Sequence, residues 1–327
     1  MKRMCALLLA VAVLAAGVGI AAAADKAGWP DQLKFMAGPP GGNWFALGGA
    51  LSEMWTKAVL QTTSSSGGGV SNIVNSDLKK GDMGFSVTSM VGAAIKGDDP
   101  FKKAADNAVV MANLYTQYTY FIMRKDFAEK NGITTLGYIS TKKLPLRFAT
   151  LKPGTASEFV VKALFKKAYG ATYDNIKGWG GSVEFSSYED GANLLADNHL
   201  DCFAFSVGRV ASIVMNIESQ VPVVILPVED ASLKALADAY GTVTFTIEPG
   251  VYKSVTKPTN TVGDYTCVVI RKDLPETLVY ELTKAMWENK KTLAMAVKDM
   301  DELDPKVAVP AGVAVHPGAG KFWKEAK

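Results

Sequence analysis

Histidine and cysteine are nearly missing from this chain of 327 residues, which holds 2 histidines, His199 and His316, and 3 cysteines, Cys5, Cys202 and Cys267. Such poverty starves most metal sites, and most histidine-based nucleophile triads, of their raw material. Gly-x-Ser-x-Gly, P-loop and His-Glu-x-x-His stretches are missing too. Hydrolysis by a carboxylate pair needs only two acids across a cleft, so it stays open. An excess of one charge is also lacking. Lys+Arg 35 against Asp+Glu 32 gives +3, and loss of Lys2 and Arg3 with a leader leaves +1. No field remains to hold a nucleic acid. Hydrophobic residues at 48% and charged residues at 20% describe an ordered globular chain, long enough for one large domain or two ordinary ones.

The N-terminus reads Met1-Lys2-Arg3, then an apolar stretch from about Ala6 to Ile20, then Ala21 to Ala24 before polar Asp25-Lys26. This is the pattern of a secretory signal peptide, and small Ala22 and Ala24 place cleavage after Ala24. A periplasmic location follows. The alternative is an uncleaved anchor, because the apolar run approaches spanning length. Cys5 leaves with the leader, and Cys202 and Cys267 remain in apolar, strand-like surroundings. Export permits a disulfide between them, whereas such cysteines are more often small buried side chains.

Apolar strands then alternate with amphipathic helices, which is an α/β pattern. A strand from Leu33 ends in the turn Gly38-Pro39-Pro40-Gly41-Gly42, and Asn43 is the expected cap of a helix striped by Leu47, Leu51, Met54 and Trp55. The pair Gly48-Gly49 inside that helix predicts a close backbone approach. A polar loop from Thr62 to Gly69, a short helix and a strand from Met83 to Val87 follow. A long strand, Val109 to Met123, runs into Arg124-Lys125-Asp126, and its near twin runs from Cys267 into Arg271-Lys272-Asp273. Between the twins lies a second β/α set. Asp273 and Glu276 predict a capping box for the next helix. Two crossings predict two β/α domains joined by a two-stranded hinge, 25–118 plus 266–327 and 119–265, with a ligand cleft beyond the carboxyl ends of their strands.

The residues also resemble a family. Gly38 to Leu51 (GPPGGNWFALGGAL), Ser66 to Asn72 (SGGGVSN), Thr246 to Tyr252 (TIEPGVY), Asp273 to Ala285 (DLPETLVYELTKA) and His316-Pro317-Gly318-Ala319 are similar to the TAXI family of TRAP-transporter solute receptors. They do so in the family's order, over nearly all of the chain beyond the leader. The resemblance implies a type II periplasmic-binding-protein fold that closes on a small solute and delivers it to a TRAP membrane subunit driven by an ion gradient. It implies no catalysis and no cofactor or metal. The implied solute is acidic, a glutamate-like amino acid or a dicarboxylate. Family members carry a threonine and two tyrosines where this chain has Asn43, Trp44 and Phe45, so the two tyrosine hydroxyls are missing. A ligand sensor docking on a membrane signalling receptor is the alternative, with an exported hydrolase behind it.

Candidate ligand groups follow from these motifs. Gly42 and the backbone of Asn43 and Trp44 offer free N–H groups at a helix start, suited to a carboxylate. Trp44 either floors a bulkier solute or packs in the core. Ser66, Gly67, Gly68 and Asn72 are expected to cradle the other end of the solute, with Thr88 and Ser89 on the same rim. In the second domain Gly154, Thr155 and Ser157 keep the glycine and hydroxyls of a family loop, where Ser157 is otherwise a helix cap. Ser206 ends a strand at that cleft. Lys152, turned inward, or Arg209 at a helix start would supply the counter-charge, although surface solvation is the usual fate of such cations. His316 is read as structural, bonding locally in a turn into the last helix.

Overall fold

The computed structural model describes residues 26–310 and 312–326, so the leader and its cleavage point after Ala24 lie outside the described residues. The chain opens with β1 (Leu33–Met36), α1 (Asn43–Ala58), β2 (Thr62–Ser65), α2 (Gly69–Asp77), β3 (Met83–Val87) and α3 (Thr88–Lys96). A 17-residue strand, β4 (Ala108–Arg124), follows. After it come α4 (Lys125–Asn131), α5 (Gly137–Lys142), β5 (Arg147–Leu151), α6 (Ala156–Ala168), α7 (Tyr173–Gly178) and β6 (Ser182–Ser186). The chain continues through α8 (Tyr188–Ala196), β7 (Cys202–Val207), α9 (Ser212–Gln220), β8 (Val223–Ile225), α10 (Asp230–Tyr240) and β9 (Val243–Ile247). Last are β10 (Thr259–Arg271), α11 (Glu276–Glu288), α12 (Lys290–Ala296), a 3-10 turn (Lys298–Glu302) and α13 (Pro317–Glu325).

One sheet runs β2-β1-β3-β10-β4-β7-β5-β6, with β8 attached to β4 and β9 to β10. Two parallel trios, β2-β1-β3 and β7-β5-β6, flank an antiparallel centre. β10 pairs with β4 from Arg271↔Ala108 to Gly263↔Tyr118, and from Tyr118 onward β4 pairs with β7. β4 therefore carries the chain from one half to the other and β10 brings it back. β4 is buried at 15 of its 17 positions, and its valines, tyrosines and phenylalanine suit a strand covered on both faces.

The first half packs Phe35, Trp55, Phe85, Leu282 and Trp323 under α1, α11 and α13. The second packs Tyr120, Phe203, Phe205 and Val214 under α8 and α9. A third apolar core belongs to both halves: Ile73 and Met90 of α2 and α3 share it with Phe159, Val160 and Leu236 of α6 and α10.

Several local expectations change. The expected loop from Thr62 begins with β2, an edge strand of sequence TTSS paired in parallel with β1; three of its four side chains are exposed, so no apolar alternation marks it. Gly42, not Asn43, caps α1. The capping box at Asp273 does not form, because Arg271 at 2.9 Å and Lys79 at 2.7 Å hold that carboxylate. Arg209 does not open a helix, since α9 starts only at Ser212. Gly48 does lie against Ala37, where a Cβ would come within 2.5 Å, but Gly49 has open space. His316 caps α13 as expected, accepting from Gly318 N–H at 3.2 Å and bonding the Leu274 carbonyl through Nε2 at 3.1 Å.

Cys202 and Cys267 are free and buried, and burial pushes both thiols up. They face β4 at Met123 and Asn113, roughly 30 Å apart along the strand and far beyond disulfide reach. Thiol titration of the chain from Lys26, without reductant, is expected to find no reactive thiol in the native protein and both cysteines after unfolding. A count of zero after unfolding would reveal a bridge instead.

Candidate functional site

Helix starts build the site. The turn before α1 needs Gly41 in the left-handed region (φ 84°), and Gly42 then enters the helix with no side chain to cap it. The first N–H groups of α1, at Asn43 and Trp44, have no partner within the helix. Across the gap, Thr155 caps α6 by accepting from Glu158 N–H at 3.3 Å, which leaves Ala156 and Ser157 in the same position. All four residues line one small chamber of about 40 Å³. Pro39, Gly42, Asn43 and Trp44 come from the first half and Gln117 from β4. Leu151, Thr155, Ala156, Ser157, Tyr188, Ser206 and Val207 come from the second half. An outer cavity of about 570 Å³ shares Gly42, Asn43, Tyr188 and Val207 with it, so these four stand where the two adjoin, a candidate neck between them.

The hydroxyls of the chamber are already engaged. Ser157 Oγ donates to the Ser206 carbonyl at 3.2 Å and accepts from Ser206 N–H at 2.9 Å. Tyr188 donates to the same carbonyl at 3.0 Å, and burial pushes its phenol up to about 12. Ser206 Oγ pairs with Thr119 Oγ1 at 2.8 Å. Trp44 Nε1 and Gln117 Nε2 both donate to Thr266 Oγ1 of β10, at 3.0 and 2.6 Å, and the Trp44 ring packs on Phe85. Trp44 thus joins the core while one edge faces the chamber. Asn43 Nδ2 donates to Asp299 at 3.1 Å. That carboxylate is pushed up to about 6 by burial, with Glu302 adding to the shift and Asn43 and Arg209 opposing it. It lies against Gly208 of the other half, where a Cβ would overlap its oxygen.

Comparison with known families decides where this architecture belongs. The model of the NMT1-like family matches residues 35–326. The chain belongs to the NMT1-like family. Among solved structures, MatC from Rhodopseudomonas palustris with bound malate is similar at 15% identity and a TM-score of 0.53, over 91% of this chain and 97% of that one. The periplasmic binding protein BugD is similar at 12% identity and a TM-score of 0.52, over 91% and 95% of the two chains. XAC2383 from Xanthomonas citri, bound to chloride ion, matches at 10% identity and a TM-score of 0.50, over 91% and 96%. The fold of the NMT1-like chain is therefore that of periplasmic binding proteins, as expected.

Of the residues singled out from sequence, Gly42, Asn43, Trp44, Thr155, Ser157 and Ser206 meet at the chamber. The others do not line it. Ser66 is exposed, and Asn72 is fully buried. The Asn72 amide donates to the carbonyls of Met36, Ala37 and Phe85 at 2.8–2.9 Å, and its oxygen accepts from Gly68 N–H at 3.1 Å. It staples the loop to the ends of β1 and β3 and has no donor left for a solute. Gly67 closes on Asn72, and Gly68 closes on the Gly154 carbonyl, which accepts from Val70 N–H at 3.1 Å. The two loops expected to bridge through a solute thus touch directly. Thr88 donates to Asn113 at 2.6 Å, and Thr88 and Ser89 line a separate cavity of about 210 Å³ beside Tyr240. Lys152 and Arg209 are exposed and line neither chamber nor outer cavity. Among the described residues no group of His, Cys, Asp and Glu could hold a metal ion.

Gln117, Tyr188 and Asp299 were missed. Gln117 carried a signal, being, with Asn113, one of two amides within a strand rich in tyrosines and aliphatics that must be satisfied once buried. Tyr188 and Asp299 carried none, since a helix-start tyrosine and an acid in the charged run Lys298 to Glu302 look like surface.

Near the crossing, the buried Asp264 carboxylate accepts from the Ser89 hydroxyl, from Ser89 N–H at 3.3 Å and from Tyr265 N–H at 2.8 Å. Burial pushes it up from 3.8 to about 6 despite these bonds. A folded-state value above the unfolded one means its contribution is present below about pH 4 and is lost as pH rises through 6. Relative to Asp264→Asn, the parent protein should therefore lose up to roughly 3 kcal/mol between pH 4 and pH 7, read by denaturant titration at each pH. Parallel curves for the two proteins would show that the carboxyl is not perturbed.

Proposed function

We propose that the protein is an extracytoplasmic solute receptor, exported to the periplasm by a signal peptide cleaved after Ala24. It binds a small acidic metabolite between two domains and delivers it to a TRAP-type ion-driven membrane transporter. The observation that carries this reading is the convergence of two helix starts, α1 from one half and α6 from the other, on one small chamber. Free N–H groups and the positive ends of two helix dipoles suit a carboxylate there, with no cation needed. The resemblance to TAXI receptors sets the solute range, from glutamate-like amino acids to dicarboxylates, and malate is bound in MatC. Domains 25–118 plus 266–327 and 119–265 would move about β4 and β10, so that solute binding selects the closed arrangement. No catalytic step is proposed.

Thermal shift of the chain from Lys26 against a panel of carboxylates tests the reading. A ligand at 100 times its dissociation constant should add about 2.7 kcal/mol of stability. Gly42→Val narrows the neck, since even a Cβ at Gly42 comes within 3.3 Å of Tyr188. Overpacking of about 1–3 kcal/mol predicts a roughly tenfold or greater loss of affinity in that variant, with the fold intact. Unaltered affinity would place the solute elsewhere.

A further inference from the structure

We infer that the solute carries one carboxylate, held in the inner chamber, and that its other end, lying in the outer cavity, is neutral or cationic. The inference rests on the receptor reading and departs from the solute range that the resemblance implies, since glutamate and dicarboxylates each carry two carboxylates. A chamber of about 40 Å³ admits a head group and not a whole metabolite, so the body of the solute must pass the neck at Gly42 and Tyr188. Among the described residues, no charged side chain lines the inner chamber, and Glu189 is the charged side chain that lines the outer cavity.

Two acids and one cation stand farther out. Asp299 accepts from Asn43, and Glu302 accepts from the N–H and hydroxyl of Thr116 at 2.8 and 2.7 Å. Arg209 is exposed, does not line the cavity, and acts on Asp299. A second carboxylate in the outer cavity would meet the exposed Glu189 carboxylate with no cation among the residues lining the cavity. The start of α9 at Ser212 also opens there, but its dipole is worth about half a positive charge against the full negative charge of Glu189. Ser212 and Asn216 offer a hydroxyl and an amide to a neutral end, and Glu189 attracts an ammonium group.

Matched ligands that differ by one charge test this. Isothermal titration calorimetry at pH 7.5 would compare glutamine with glutamate, succinamate with succinate, and benzoate with phthalate. In each pair that binds, the monocarboxylate end group should win by a few-fold, about the scale of a solvent-screened interaction between exposed charges. Glu189→Gln should narrow that ratio, because it removes the opposing charge and keeps the shape. Equal or tighter binding of the dicarboxylates would overturn the inference while leaving the receptor reading in place. Failure of every monocarboxylate would also overturn it, and the receptor reading falls with it only when the dicarboxylates fail as well.

Discussion

The antiparallel pairing of β4 with β10 is the constraint on which everything else depends. Both strands run through the junction of the two halves, so one hydrogen-bonded ladder sets where each trio of parallel strands stands. Side chains of β10 near the crossing extend that control outward. Thr266 receives Trp44 and Gln117, which fixes the floor of the chamber to the strand. Asp264, on the same strand, receives the first turn of α3. A buried carboxylate costs solvation that few hydrogen bonds fully offset, so its presence here trades stability for a defined position of α3 against the crossing.

What the sequence made legible follows from local chemistry. The Arg-Lys-Asp repeat after each long strand marked the two crossings, and both copies form the same local ion pair, Arg124 with Asp126 and Arg271 with Asp273, each at 2.9 Å. Glycine-rich turns followed by amphipathic stripes marked the two helix starts that meet at the chamber. What stayed hidden depends on contacts distant in sequence. Asn72 looked like a ligand group because amides in glycine-rich loops often are, yet three carbonyls from the ends of β1 and β3 had already claimed its donors. Lys152 and Arg209 attracted notice as cations, whereas both are exposed and line neither cavity. The edge strand β2 had no pattern to read, since its polar side chains face solvent and only its backbone pairs.

Closure can be argued from the same contacts. The halves share an apolar core between α2, α3, α6 and α10, and Val70 N–H reaches the Gly154 carbonyl with no solute between them. The closed arrangement therefore has favourable contacts of its own. On the proposed receptor reading, a solute need supply only the difference between states, and a carboxylate held where α1 and α6 face each other would supply it, because separating the halves would part their N–H groups from it. Asp299 adds a further link between the halves: it accepts from the side chain of Asn43, the first residue of α1, and lies against Gly208 of the other half, where a Cβ would overlap its oxygen.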